Sequence, residues 1–283
     1  MWKPITIDPI TEINVIIRFF MQYVFEEFVT MEILERIALL TKSILFCFPN
    51  HFISSFDKHF VLLFEYLISI SMNESEVPHS HSILSIVLGT IITLTSDRIP
   101  QHLVPHLTPL FEEFDLSLFG LLLSYPSAMI LNLTISCSRN FLLCGYPHRF
   151  SASTINCFLI HFYDMQFENL VELALFFLHY TILAPTEIKI TFMSDSKYLE
   201  KIFNIIICNQ SNKGLYFMEK IVELLKACII NEVLHPGVHE AFMNLDFLSL
   251  FDELESNTDL RADEQITFDL AFSFCSELLL TPE

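Results

Sequence analysis

Between Lys197 and Glu232 the apolar residues recur three and four positions apart, the spacing of one face of an α-helix. Leu199, Ile202, Phe203 and Ile206 form a first stripe, with Lys197, Glu200, Lys201 and Asn204 opposite. Met218, Ile221, Val222, Leu225, Cys228 and Ile229 form a second stripe against Glu219, Lys220, Glu223 and Lys226. The turn formers Asn209 to Gly214 lie between them, so the stretch predicts two helices and a turn.

The same pattern extends along the chain. Asp8 and Pro9 predict a cap and first helical residue leading into Ile10 to Phe28. Thr30 predicts the cap of a helix running to about Phe48, stopped by Pro49 and Asn50. Phe60 to Ser71 and Ile83 to Leu94 flank a predicted loop, Met72 to Ser80. Ile99 to Phe114 carries Pro100, Pro105 and Pro109, which predicts an irregular start and a clean helix only near its end. Leu116 to Leu123 and Ser127 to Leu143 follow, with Gly145 and Pro147 as stop signals. Ser151 to Tyr163 pairs with Phe167 to Leu183, and a short segment spans Glu187 to Met193. After the break at His235-Pro236-Gly237, Val238 to Glu255 and Ala262 to Leu280 form the last predicted pair.

Phe60, Leu118, Ile155, Tyr198 and Phe247 each stand near the start of a helix that is followed by a turn and a longer apolar helix. Several of these starts lie roughly 40 residues apart, a period typical of helical repeat arrays. The segment Ala128 to Leu133, AMILNL, resembles the third helix of armadillo repeats, and IPQHLVPHLTPLFEEF resembles the proline-bearing first helix of HEAT repeats. The resemblance implies an all-α fold, a right-handed α-solenoid of about five to six stacked helical repeats in a single domain, 1–283. It also implies an inner surface that binds proteins or peptides, hence an interaction scaffold or adaptor rather than an enzyme. The chain departs from peptide-binding armadillo proteins in having a single Trp, Trp2, where those display ladders of Trp and Asn.

Composition sharpens this picture. Only five Gly stand among 283 residues, which leaves few positions for phosphate-cradling loops or tight hairpins and favours helices. Apolar residues make up 52% of the chain, 29 residues are Phe, and mean hydropathy is +0.49, so a multi-pass membrane bundle is the alternative architecture. The longest run without Asp, Glu, Lys or Arg, Leu116 to Ser138, is interrupted by Ser124, Pro126, Ser127 and Asn132 and reads as two helices rather than one span. Asp8 and Glu12 interrupt any apolar leader. Seven Cys stand singly in apolar segments, as buried thiols of a reducing compartment do, which places the protein in the cytoplasm with the nucleus as the alternative.

The formal charge of −19 disfavours nucleic acid and anionic lipid and favours a basic protein or peptide partner. From Leu245 to Glu283 there are ten acids and one base, Arg261, which makes either an acidic docking surface or a solubilising cap on the last repeat. His102 with His106, and His235 with His239, have the four-residue spacing of zinc ligands on a helix, but both pairs enclose Pro and lack an acidic partner at fixed spacing. No nucleophile elbow, phosphate loop or dinucleotide fingerprint occurs, and neither metal nor cofactor is expected. An enzyme would need a site assembled from distant residues.

In an armadillo-like register the polar stripes of the longer helices face the groove. The candidate partner-binding residues are Asn132 and Arg139 with Ser136 between them, Glu172 and His179, and Glu219, Glu223 and Lys226. Asp252, Glu253 and Asp259 are added from the acidic C-terminal stretch.

Overall fold

Thr30 adopts extended backbone and its hydroxyl accepts from the Ile33 N–H, starting helix α1 (Met31–Cys47) with Glu32 in the first turn. The computed structural model describes residues 15, 19, 29–74, 78–164, 170–208, 214–230, 233–245, 247–256 and 261–280. The Asp8 cap and, apart from residues 15 and 19, the predicted helix over 10–28 lie outside these. The chain divides into two compact units, Met1–His161 and Phe162–Glu283.

In the first unit Pro49 does not merely end α1. It opens a short helix, α2 (Pro49–Ser54), because a proline at the first helical position gives up no hydrogen bond. Asp57 then caps α3 (Lys58–Asn73), and α4 (Pro78–Leu94) follows, so the predicted loop is shorter than its polar residues suggest. The proline-rich stretch behaves as its sequence predicts. It forms turns, a 3-10 segment (Val104–Leu107), and a six-residue helix, α5 (Thr108–Glu113). Then come α6 (Ser117–Leu122), α7 (Ala128–Leu143) capped by the Ser127 hydroxyl, and α8 (Ala152–Asp164).

Helix α4 is the centre of this unit. It packs against α1 on one side and α7 on the other, while α3 lies beneath it. Nine of its residues are buried, among them Ile83, Leu84, Leu88 and Ile91 at 0% exposure, which is why its apolar positions run round most of its circumference. The long helices α1, α4 and α7 therefore form a ladder whose rungs begin at Met31, Pro78 and Ala128, 47 and 50 residues apart. A Phe cluster, Phe111, Phe114, Phe119 and Phe141, fills the space between α5, α6 and α7 with rings 5.4 to 5.9 Å apart.

The second unit repeats this construction. Its helices are α9 (Leu170–Leu183), α10 (Thr186–Met193), α11 (Ser196–Cys208), α12 (Gly214–Ala227), α13 (Pro236–Met243), α14 (Phe247–Ser256) and α15 (Ala262–Leu280). Helix α12 packs between α9 and α15, so the rungs begin at Leu170, Gly214 and Ala262, 44 and 48 residues apart. Helices α10, α11, α13 and α14 pack on one another beside the ladder, and Phe203 of α11 joins Phe217 of α12, Phe242 of α13 and Phe251 of α14 where the two layers meet.

Two sequence expectations fail here. Cys228 and Ile229 continue the apolar stripe of α12 in sequence, yet the helix ends at Ala227 and Ile229–Ile230 pairs antiparallel with Val233–Leu234. The β-branched run around 229–234 favours a strand where it leaves the helix. The predicted helix from Val238 to Glu255 is two helices, because Asn244 and Leu245 make the turn between α13 and α14. His235, read as part of a break, accepts from the Gly237 N–H through its ring and caps α13.

Candidate functional site

The rungs of each ladder are joined by polar contacts that span one repeat of sequence. In the first unit His79 Nδ1 lies 2.5 Å from Glu35 Oε2, linking α4 to α1. His81 Nε2 lies 3.4 Å from the Ser127 hydroxyl at the start of α7, and the Cys137 thiol donates to the Leu88 carbonyl. At the other end Asn140 of α7 donates its amide protons to Thr95 Oγ1 at 3.0 Å and to the Ile92 carbonyl at 3.5 Å.

Beside this last contact a cavity of about 670 Å³ opens at the C-terminal ends of α4 and α7. Its volume falls within the range of about 300–1,000 Å³ usual for ligand pockets. Thr95, Ser96 and Asp97 supply the α4 wall, and Arg139, Asn140 and Leu143 the α7 wall. Ile99, Gln101, Val104 and Pro105 close it from the proline-bent connector, and Phe111 and Tyr146 stack in parallel with centroids 5.1 Å apart. Tyr146 is placed by the end of α7. Gly145, at φ 91°, donates to the Leu142 carbonyl, and Tyr146 N–H reaches back to the Phe141 carbonyl, a Schellman closure that only Gly enters without strain. Cys144 also lines the cavity, and desolvation raises its thiol pKa, so it stays protonated.

The sequence-predicted residues are distributed as follows. Asn132, Ser136 and Arg139 share the partly exposed side of α7; Arg139 lines the cavity, while Asn132 Oδ1 is buried with no hydrogen-bond partner. Glu172 and His179 stand on α9. The His179 Nδ1–H donates to the Leu175 carbonyl at 2.7 Å, and its Nε2 lies 2.5 Å from the Tyr216 hydroxyl of α12. Lys220 lies 5.7 Å from the Tyr216 ring centroid and pairs with Glu223 at 2.7 Å. Thus His179 and Glu223 belong to one chain of contacts, whereas Glu219 is exposed on α12 and Lys226 lies over the Phe274 ring of α15 at 5.0 Å. Asp252 and Glu253 are exposed on α14, and Asp259 lies outside the described residues.

The histidine pairs do not share helix faces. His102 is in a turn and His106 in the 3-10 segment, both exposed, while His235 caps α13 and His239 contacts the Leu279 carbonyl. Among the described residues no three His, Cys, Asp or Glu side chains are grouped to hold a metal ion, and no helix is long and apolar enough to cross a membrane. Cys137, Cys228 and Cys275 are buried, and burial pushes the Cys228 thiol up to about 11 and that of Cys275 to about 12. Cys47 and Cys144 are exposed, against the expectation that all the thiols are buried.

Sequence reasoning missed most of the cavity: Thr108 and Phe111 stand on α5, Asn140 on α7, and Asp97 and Tyr146 in the connections that follow α4 and α7. The one signal was the run Pro100, Pro105, Pro109, which bends the connector across the helix ends. No protein-family model, curated protein or solved structure matches this chain.

Proposed function

We propose that the protein is an interaction scaffold or adaptor, built on an armadillo- or HEAT-like right-handed α-solenoid, that presents the polar stripes of its longer helices to a basic protein partner in the cytoplasm or nucleus. The observation that carries the reading is the ladder. Three long helices pack side by side at intervals of 47 and 50 residues, and Ser82, Ser85 and Thr93 of α4 and Asn132 and Ser136 of α7 are at least partly exposed. A row of packed helices suits recognition of an extended chain rather than enclosure of a substrate. The charge of −19 supplies long-range attraction for a basic partner.

The test is site-specific photo-cross-linking in cells that make the protein. A cross-linking amino acid at Ser85 or Ser136 is expected to capture one protein reproducibly, and one at Leu62, 46% exposed on α3, is not. Equal capture from all three positions, or none from the ladder, would sink the reading.

A further inference from the structure

Around the α4–α7 cavity Thr95, Ser96, Thr108 and Asn140 have used their protons inside the protein, while Gln101, Arg139 and Tyr146 also carry donor groups on its lining. The Thr95 hydroxyl donates to the Ile91 carbonyl at 2.8 Å, that of Ser96 to Thr93 at 3.0 Å, and that of Thr108 to Pro105 at 2.8 Å. Asn140 spends both amide protons on Thr95 and Ile92, so its Oδ1 is what remains. Asp97 is an acceptor by nature. The wall therefore offers lone pairs from Ser96, Thr108, Asn140 and Asp97, and a ligand that satisfies them must bring N–H donors.

Two further features select a cation. The cavity lies at the C-terminal ends of α4 and α7, helices of 17 and 16 residues, where the carbonyl ends of the peptide dipoles carry partial negative charge. Tyr146, half-buried and stacked on the buried Phe111, adds an aromatic ring of the kind that attracts ammonium and guanidinium groups. Asp97 stands on the α4 side of the cavity, and Arg139 on the α7 wall. At the mouth Val104 and Leu143 are 38% and 55% exposed, fitting the methylene stem of a long side chain.

We propose that this cavity receives a lysine or arginine side chain of a basic protein partner. The assignment rests on the scaffold reading above and gives that scaffold an anchoring point.

The test uses the full chain and the tripeptide acetyl-Ala-Arg-Ala-amide, with a citrulline tripeptide as its uncharged isostere, followed by methyl NMR at about 0.15 M salt. The arginine peptide is expected to shift the Ile99, Val104 and Leu143 methyls saturably, and the citrulline peptide to bind about tenfold more weakly. Asp97→Asn is expected to weaken the arginine peptide by about tenfold at an unchanged urea midpoint, and Ser96→Ala to weaken it less. Equal binding of the two peptides, no effect of Asp97→Asn, or equally large shifts at Ile266 and Leu270 of α15 would each overturn the assignment. In cells, a cross-linker at Gln101 is expected to capture the same partner as one at Ser136, and Asp97→Asn to reduce both captures. Capture from Ser136 but not from Gln101 overturns the anchoring site and leaves the scaffold standing; failure at both Ser85 and Ser136 removes the scaffold itself.

Discussion

A hydroxyl inside a helix has a carbonyl within reach four residues back, and this chain uses that reach repeatedly. Thr41, Thr90, Thr134, Ser138 and Thr181 are buried, and each donates to the carbonyl of residue i−4 at 2.7 to 2.9 Å. Residues that look like interruptions of an apolar stripe are in this way made compatible with the core, so interior hydroxyls do not mark a groove. Ser71, at 0% exposure, lacks such a partner. The Glu35 carboxyl shows what a polar contact between rungs contributes. Hydrogen bonds from Ser82 and His79 hold its pKa below the ordinary value. A depressed carboxyl pKa stabilises the fold above the unfolded value of about 4.3 and loses that contribution as pH falls through the folded value. Glu35→Gln is therefore expected to flatten the dependence of urea-unfolding stability on pH between about pH 5 and 3, with the parent chain losing stability faster on acidification.

At the scale of elements, a helix start is legible where an oxygen-bearing side chain directly precedes an apolar run, as Thr30 and Ser127 do. The caps and first turns of α3 and α4 are not, since Asp57 and Pro78 stand before polar residues and the sequence places those starts at Phe60 and Ile83. Helix ends were read less well. The α12 stripe continues beyond Ala227 because apolar spacing reports which side is buried, not which backbone buries it. Pro49 shows the converse, since one residue serves equally to stop one helix and start the next. The end of α7 is the most exposed to a single substitution. Gly145→Ala forces a Cβ onto a residue at φ 91°, with open space around it, so strain rather than collision sets the cost. A loss of about 1 kcal/mol in urea unfolding is expected, together with weaker tyrosine packing, read as a change in near-ultraviolet circular dichroism from the Phe111 and Tyr146 pair.

For the molecule as a whole, the all-helical class followed from periodicity and the scarcity of Gly, and the ladder from the recurrence of helix pairs. The period in the structure, 44 to 50 residues within the two units, is longer than the roughly 40 that the sequence suggests. The extra residues reside in α2, α5 and α10, short helices of six to eight residues that periodicity over so few positions does not resolve. Of the candidate site, Arg139 was legible because it sits on a long stripe, and Asp97 was not, because its importance comes from helix ends that meet only in three dimensions. Net charge acts at this scale too. With 34 acids against 15 bases the folded chain repels itself, and screening relieves this, so raising salt from about 0.02 to 0.15 M is expected to raise the midpoint of thermal unfolding.

The bent connector between α4 and α5 has a consequence for how this protein can change. Two walls of the cavity are the ends of rungs, and their positions are tied to the buried ladder; the third wall is a surface segment carrying the exposed residues Gln101, Val104 and Pro105. Lengthening or recolouring that segment alters what the recess admits while the helices keep their register. Binding preference and folding stability are thereby assigned to different stretches of chain, and one can drift across related sequences without endangering the other.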